Sequence, residues 1–294
     1  MRIVDKLYVE NHYSGSNWDF EKTTKYIIQT GDFEIEAGYF EHYKDGILVK
    51  NVIELPQSYG CPSKCRFCAT SSIERFQVLD AVTLEKLFDL IYRENNLQEQ
   101  KYVLLTMTGM GDIFFNYDNI ELFLLKLQKY DNLYITLSSC LWNTELLKRI
   151  ENLSRLVRIR NIQITFVTED INILSWMIPY YQEHEFQFKE LIKYIRDSKE
   201  TFYRINYIVI KDVNDSGEAV DSFAESIDMV KDKVLVRISK LNETNATRKN
   251  SLQTTDIQTL ENMQRALHRK EIHSYIFYAD KNDNMNCGQL ITEK

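Results

Sequence analysis

Proline is nearly absent from this chain, with three in 294 residues, and glycine is scarce at nine. Linkers and low-complexity segments draw on those two residues, so their scarcity leaves no visible domain break. Cysteine is sparse and odd in number, at five. That count, with no secretory leader expected, argues against a disulfide framework. No apolar run approaches the roughly 20 residues a bilayer-spanning helix needs, so no membrane segment is expected. Positive charge is also short: 36 Lys and Arg against 43 Asp and Glu give a net charge of -7 and a pI near 5.4. A large nucleic-acid footprint normally shows as a basic face, and the balance here runs the other way. The one basic stretch, Lys148, Arg149, Arg155, Arg158 and Arg160, reads better as a solvated exterior face. At 34.9 kDa and 44% hydrophobic residues the chain can bury a full core. A cytoplasmic, soluble, monomeric enzyme is expected.

What the chain does have is alternation. Short β-branched runs recur with amphipathic helical stretches between them, the pattern of βα units around a parallel sheet. Strands are expected at 48–55, 102–108, 133–137, 162–167, 202–210, 233–238 and 272–278. In the first intervening helix Leu84, Leu87, Phe88 and Ile91 share one face behind an N-cap at Thr83. In another, Val220, Phe223, Ala224, Ile227 and Val230 follow Asp215 and Ser216, and a third begins at Asp256. Upstream, segments 33–42 and 47–55 flank Lys44-Asp45-Gly46, a hairpin signal. The expected class is α/β, with residues 1–50 as an N-terminal extension and short β-hairpin and 51–294 as the main domain.

Three of the five cysteines fall close together, at Cys61, Cys65 and Cys68. A closed electron-transfer iron-sulfur cluster takes four thiolates, whereas three leave one iron open for chemistry. The competing reading is zinc, but its structural sites want four ligands and pair two short Cys hairpins, and no second hairpin exists. After the second strand comes Thr108-Gly109-Met110-Gly111-Asp112, in which two glycines would let the backbone approach a ligand and a carboxylate could take an ammonium. The third strand ends Thr136-Leu137-Ser138-Ser139-Cys140, the fourth carries Thr165, and Asn242 follows the sixth. Ligands of parallel α/β proteins gather at such strand ends, although each residue could be an ordinary cap or turn.

The triad, with Phe67 just before its last cysteine, resembles the signature of the radical S-adenosylmethionine (SAM) enzymes. That resemblance implies a partial (β/α)6 barrel, a [4Fe-4S] cluster on Cys61, Cys65 and Cys68, and SAM chelated to the open iron. It also implies an external one-electron reductant of flavodoxin or ferredoxin type. Gly60–Thr70, Gly109–Asn116, Thr136–Ser139, Ile178-Pro179, Val213–Ser216 and Cys287-Gly288-Gln289-Leu290 stand in the order found in one branch. That branch methylates adenosine C2 or C8 of large-subunit ribosomal RNA. Carried over, Cys287 is the methyl carrier, while Phe67, Gly109, Met110, Gly111, Asp112, Ser138, Thr165, Phe166, Val167 and Asn242 fall at SAM-contacting positions. Glu36 matches a glutamate that accepts a proton.

The departures bear on the reaction. Where the branch has a second catalytic cysteine, which deprotonates the adduct and resolves it as a disulfide, this chain has Glu54. A carboxylate can serve as base but not as disulfide partner, and Cys140 is the candidate to resolve the adduct, or else a buried small hydrophobe. The branch's N-terminal RNA-recognition domain is expected to be missing, which favours a small molecule, nucleotide or short RNA as substrate. Three readings stay open: a thiol-mediated C-methyltransferase acting on an sp2 carbon, a radical SAM enzyme of another reaction type on a small molecule or peptide, and a non-catalytic iron-sulfur protein.

Overall fold

The computed structural model describes residues 1–12, 18–185, 188–200, 202–277 and 288–290. Four strands open the chain, β1 (Arg2–His12), β2 (Phe20–Thr30), β3 (Phe33–Lys44) and β4 (Ile47–Glu54). Apart from the two-residue strands Ser58–Tyr59 and Gln77–Val78, which pair only with each other, six more follow: β5 (Val103–Met107), β6 (Leu133–Ser139), β7 (Ile159–Phe166), β8 (Tyr203–Val209), β9 (Val234–Lys240) and β10 (Ser274–Phe277). All ten join one sheet whose order follows the chain from β1 to β10. The pairs from β1 to β4 are antiparallel, and every pair from β4 to β10 is parallel.

Helices fill the crossovers: α1 (Ala81–Glu94), α2 (Tyr117–Lys126), α3 (Thr144–Leu153), α4 (Ile171–Met177), α5 (Phe188–Asp197), α6 (Gly217–Ile227), α7 (Asn245–Lys249) and α8 (Ile257–Arg269). Successive strand residues point to opposite faces. In β8, Tyr203, Ile205, Tyr207 and Val209 are buried in the core, while Arg204, Asn206 and Ile208 line a cavity on the other face. Leu84, Leu87, Phe88 and Ile91 of α1 are fully buried, each worth about 2 kcal/mol in area removed from water. Residues from β2 to β10 line the same cavity, of about 580 Å³, so the sheet curls around it as a partial barrel.

Two expectations need correction. Helix α1 is capped by Asp80, whose carboxylate accepts from the Thr83 backbone N–H at 2.7 Å. Thr83 lies in the first turn, because the carboxylate three residues earlier reaches its exposed N–H. The N-terminal extension is also more than a hairpin. Asp45 and Gly46 do turn β3 into β4 with positive φ at both, 51° and 73°, but β1 and β2 continue the same sheet.

Candidate active site

The chain leaves β4 along Leu55–Ser58 and enters the loop that carries the cysteine triad. Gly60 permits that turn: its φ is +70°, and a Cβ there would lie 2.2 Å from the Arg75 carbonyl oxygen. Cys61 and Cys65 are buried and Cys68 is partly exposed. All three line the cavity. Ser63 Oγ sits 2.9 Å from Cys61 Sγ and 3.4 Å from Cys65 Sγ. Lys64, in left-handed conformation, pins the loop by donating to the carbonyls of Ser71 and Ile73 at 3.1 and 2.7 Å. Burial and the nearby Asp112 push the Cys61 thiol well above its ordinary pKa. Among the described residues no three His, Cys, Asp or Glu side chains stand close enough to share one metal ion. Three thiols bordering one cavity match a cluster that leaves one iron open, whereas a structural zinc site takes four ligands.

The glycine pair after β5 lines the cavity and also packs closely against the chain itself. A Cβ on Gly109 would meet the Leu55 carbonyl oxygen at 2.9 Å, and one on Gly111 would meet Ser58 Oγ at 2.1 Å. The Met110 carbonyl accepts from the backbone N–H groups of Gln57 and Ser58 at 2.7 and 3.3 Å. The bare backbone thus packs against the segment leading to the triad, and its close approach is to protein. Gly111 also has φ of +94°. Gly111→Ala should cost about 3 kcal/mol, combining left-handed strain with overpacking. Gly46→Ala, at φ +73° with nothing near its Cβ, should cost about 1 kcal/mol from strain alone. Equal costs in urea unfolding would show that the Ser58 contact is not tight.

Asp112 is buried at this strand end, and burial raises its carboxyl pKa above the ordinary value. Its oxygens accept from Phe114 N (2.9 Å), Ser139 Oγ (2.5 Å) and Cys140 N (3.0 Å), with Cys140 Sγ at 3.3 Å. An ionised carboxylate offers about four lone-pair sites, so an ammonium arriving here would have to share oxygens already engaged. Cys140 Sγ also lies 3.6 Å from Cys65 Sγ, on the triad side of the cavity.

Phe67, Gly109, Met110, Ser138, Thr165 and Asn242 all line the cavity, and Glu36 and Glu54 do so from β3 and β4. Two expected positions do not. The Phe166 ring packs against Phe188, Tyr207 and Phe223 on the helix side of the sheet. Val167 is buried in an apolar cluster with Leu174 and Ile178, its carbonyl accepting from Asn214 Nδ2 at 2.7 Å. Strand alternation puts Thr165 inward and Phe166 outward. Cys287 lies outside the described residues. Its neighbour Gly288 accepts from Ala69 N at 2.7 Å, immediately after the triad, and Gly288–Leu290 line the cavity.

The pattern hid Lys25. Its ammonium reaches Glu54 at 2.9 Å with both side chains buried, and Thr108 Oγ1 donates to the other Glu54 oxygen at 2.9 Å. Lys25, Gly38 and Glu54 form one row across β2, β3 and β4. A Cβ on Gly38 would meet the Phe40 ring at 2.7 Å and Glu54 Cβ at 3.5 Å, so the bare backbone there admits the Phe40 ring beside the pair.

Residues 55–224 match the Radical SAM superfamily. A probable dual-specificity RNA methyltransferase RlmN of Malacoplasma penetrans is 26% identical over 306 residues, covering 99% of this chain and 79% of that protein. Its Spiroplasma citri counterpart is 22% identical over 256 residues, covering 77% and 73%. The crystal structure of a radical SAM methyltransferase from Sphaerobacter thermophilus shares the fold with a TM-score of 0.72 at 18% identity, over 97% of this chain and 80% of that one. SuiB of Streptococcus suis, solved with S-adenosylmethionine bound, aligns with a TM-score of 0.51 at 16% identity, over 77% of this chain and 51% of that one.

Proposed function

The chain belongs to the radical SAM superfamily, and from that premise we propose that it is a C-methyltransferase with Cys287 as methyl carrier, acting on an sp2 carbon of a nucleotide, RNA or other small substrate. As a member it is an enzyme that uses a [4Fe-4S] cluster and SAM and draws on an external one-electron reductant. Among the described residues no helix is long and apolar enough to cross a membrane. We take the reductant to be of flavodoxin or ferredoxin type and the protein to be monomeric and cytoplasmic.

The observation that supports the reading most is the tie between Ala69 N and Gly288 O, which joins the segment around Cys287 to the triad loop. When bound, the cluster and SAM supply a carbon-centred radical able to abstract hydrogen from a methyl group. Cys61, Cys65 and Cys68 hold the cluster. Ser138, Thr165 and Asn242 line the SAM end, with Gly109–Asp112 shaping the loop behind it. Glu54, oriented by Lys25 and Thr108, is positioned as proton acceptor when the adduct on Cys287 collapses; Glu36 faces the same cavity. Cys140 is the candidate thiol for releasing Cys287.

A second reading, a radical SAM reaction of another type, is favoured by one feature: the Lys25–Glu54 ion pair stands where the related methyltransferases carry their second cysteine. Anaerobic reconstitution followed by SAM alone separates the two. About four irons and four sulfides per chain are expected with spectra that respond to SAM, together with one methyl group on Cys287 in peptide mass spectra. Stoichiometric zinc without a cluster would exclude both readings, and a normal cluster with an unmodified Cys287 would leave the second.

A further inference from the structure

Of the described cysteines, Cys140 stands outside the triad, yet its sulfur lies 3.6 Å from that of Cys65. A disulfide bond is about 2.05 Å long, so the gap left to close is about 1.5 Å. Backbone contacts hold both residues at this meeting point. The Cys140 N–H donates to Asp112 Oδ2 at 3.0 Å, and its carbonyl accepts from Tyr181 Oη at 2.8 Å. The Cys65 carbonyl accepts from Cys68 N at 3.1 Å, and the adjoining Arg66 N–H donates to the Met177 carbonyl at 2.8 Å. The two sulfurs are thus brought together by elements 75 residues apart in the chain. Cys61 and Cys65 share a different neighbour, the Ser63 hydroxyl, at 2.9 and 3.4 Å.

With the cluster in place, Cys65 is bound to iron and offers Cys140 no thiol. In a chain that has not received its cluster, or has lost it, Cys65 and Cys140 are both thiols lining a cavity of about 580 Å³, wide enough for a small oxidant. Thiol oxidation proceeds in steps: a sulfenic acid is reversible, whereas the sulfinic and sulfonic acids beyond it are not. A thiol beside the sulfenic acid condenses with it and diverts it from the irreversible course.

We propose that Cys65 and Cys140 are a redox modification site: in the cluster-free chain they form a reversible disulfide, with hydrogen peroxide as oxidant, that keeps the cluster out until a dithiol reduces it. Peroxide first transfers one oxygen to the Cys65 thiol, giving its sulfenic acid and one water. Cys140 Sγ then attacks the Cys65 sulfur and the S–O bond breaks. The Cys140 proton passes by way of Asp112 Oδ2, 3.3 Å from Cys140 Sγ, to the departing hydroxide, which leaves as a second water. Two thiols give up two electrons and two protons, and one peroxide takes them up. Thiol–disulfide exchange with a dithiol restores both thiols. The exclusion of the cluster rests on Cys65 being one of its ligands; the disulfide itself does not.

The test uses the full chain freed of iron by a chelator, with circular dichroism to report that it stays folded. After one equivalent of hydrogen peroxide, peptide mass spectra taken without reductant should show Cys65 linked to Cys140, in a chain about 2 Da lighter. A preformed [4Fe-4S] cluster, offered on a scaffold protein without added thiol or free sulfide, should load the oxidised chain at least ~5-fold less than the untreated chain, and dithiothreitol should restore loading to within ~1.5-fold. In Cys140→Ser and Cys140→Ala the same oxidation at ten equivalents should carry Cys65 on to the sulfinic acid, so that dithiothreitol recovers at least ~5-fold less loading than in the parent. Cluster uptake by the unoxidised variants establishes that their sites are folded; failure of one leaves the other to decide. A linkage to any other cysteine, or none, would overturn the proposal, as would full recovery of both variants after oxidation. A Cys65–Cys140 linkage that leaves loading unchanged overturns the exclusion and removes Cys65 from the cluster set. A parent that never takes up a cluster overturns the cluster assignment, while the linkage still decides the disulfide. Methylation of Cys287 enters none of these readouts, so failure here leaves the methyl-carrier reading standing.

Discussion

Replacing Cys287 with alanine should lower methyl transfer by about 10⁴-fold or more, the scale on which loss of a covalent catalyst is felt. Reductive cleavage of SAM to 5'-deoxyadenosine should persist within a few-fold of the parent, because the proposed cluster thiols are Cys61, Cys65 and Cys68. Cys61 and Cys65 contact Ser63, the Cys68 N–H donates to the Cys65 carbonyl, and Lys64 pins the loop that carries all three. Quantifying methylated product and 5'-deoxyadenosine in the same reaction gives the ratio that matters. Unchanged product formation by Cys287→Ala would eliminate the thiol relay, and parallel loss of both activities would mean that the alanine protein had failed to assemble its site.

The second large effect belongs to the buried ion pair. Lys25 and Glu54 are 3% and 7% exposed as residues, so Lys25→Met strands a carboxylate in a cavity where water screens it poorly. Breaking a buried pair from one side costs about 3–5 kcal/mol. For a chain of this size that amounts to a melting point lower by about 10 °C. The double variant Lys25→Met with Glu54→Leu should recover to within about 1 kcal/mol of the parent, since replacing both partners by apolar groups removes the desolvation penalty with the attraction. Equal destabilisation in the single and double variants would mean that Lys25 contributes by packing alone.

Much of the scaffold was legible because the signals were local. The spacing of Cys61, Cys65 and Cys68, the Asp45-Gly46 turn and the β-branched runs of β5 to β9 each depend on residues a few places apart. The strand β2 was not legible, and its physics explains why. Glu21 and Lys25 are buried yet polar because they face a cavity rather than a core, and the buried Thr23 hydroxyl donates to Glu21. They therefore erase the apolar alternation that marks a half-buried strand. Arg204 and Arg237 were hidden for the same reason, as single charges inside apolar runs. The Lys25–Glu54 pair could not be read from spacing at all, since it depends on the register of three strands. In the Gly109–Asp112 segment the composition was legible and its packing was not: the segment lines the cavity, and its small residues also accommodate the neighbouring loop while the carboxylate accepts from the chain's own N–H groups.

The tie between Ala69 and Gly288 gives the molecule an order of assembly. Every strand of the large sheet pairs with the one before it in that sheet, so the sheet grows by successive closures whose entropy cost rises slowly with length. The hydrogen bond from Ala69 N to Gly288 O stands outside that progression, joining the first crossover to the last described residues. It can form only after the chain has been made through β10. Until then the thiols of Cys61, Cys65 and Cys68 border a cleft that lacks its C-terminal wall. A chain still emerging during synthesis exposes these thiols to iron and sulfide, and equally to oxidants that attack accessible thiolates. Docking of the last segment therefore separates a period in which the site can be supplied from one in which it is guarded.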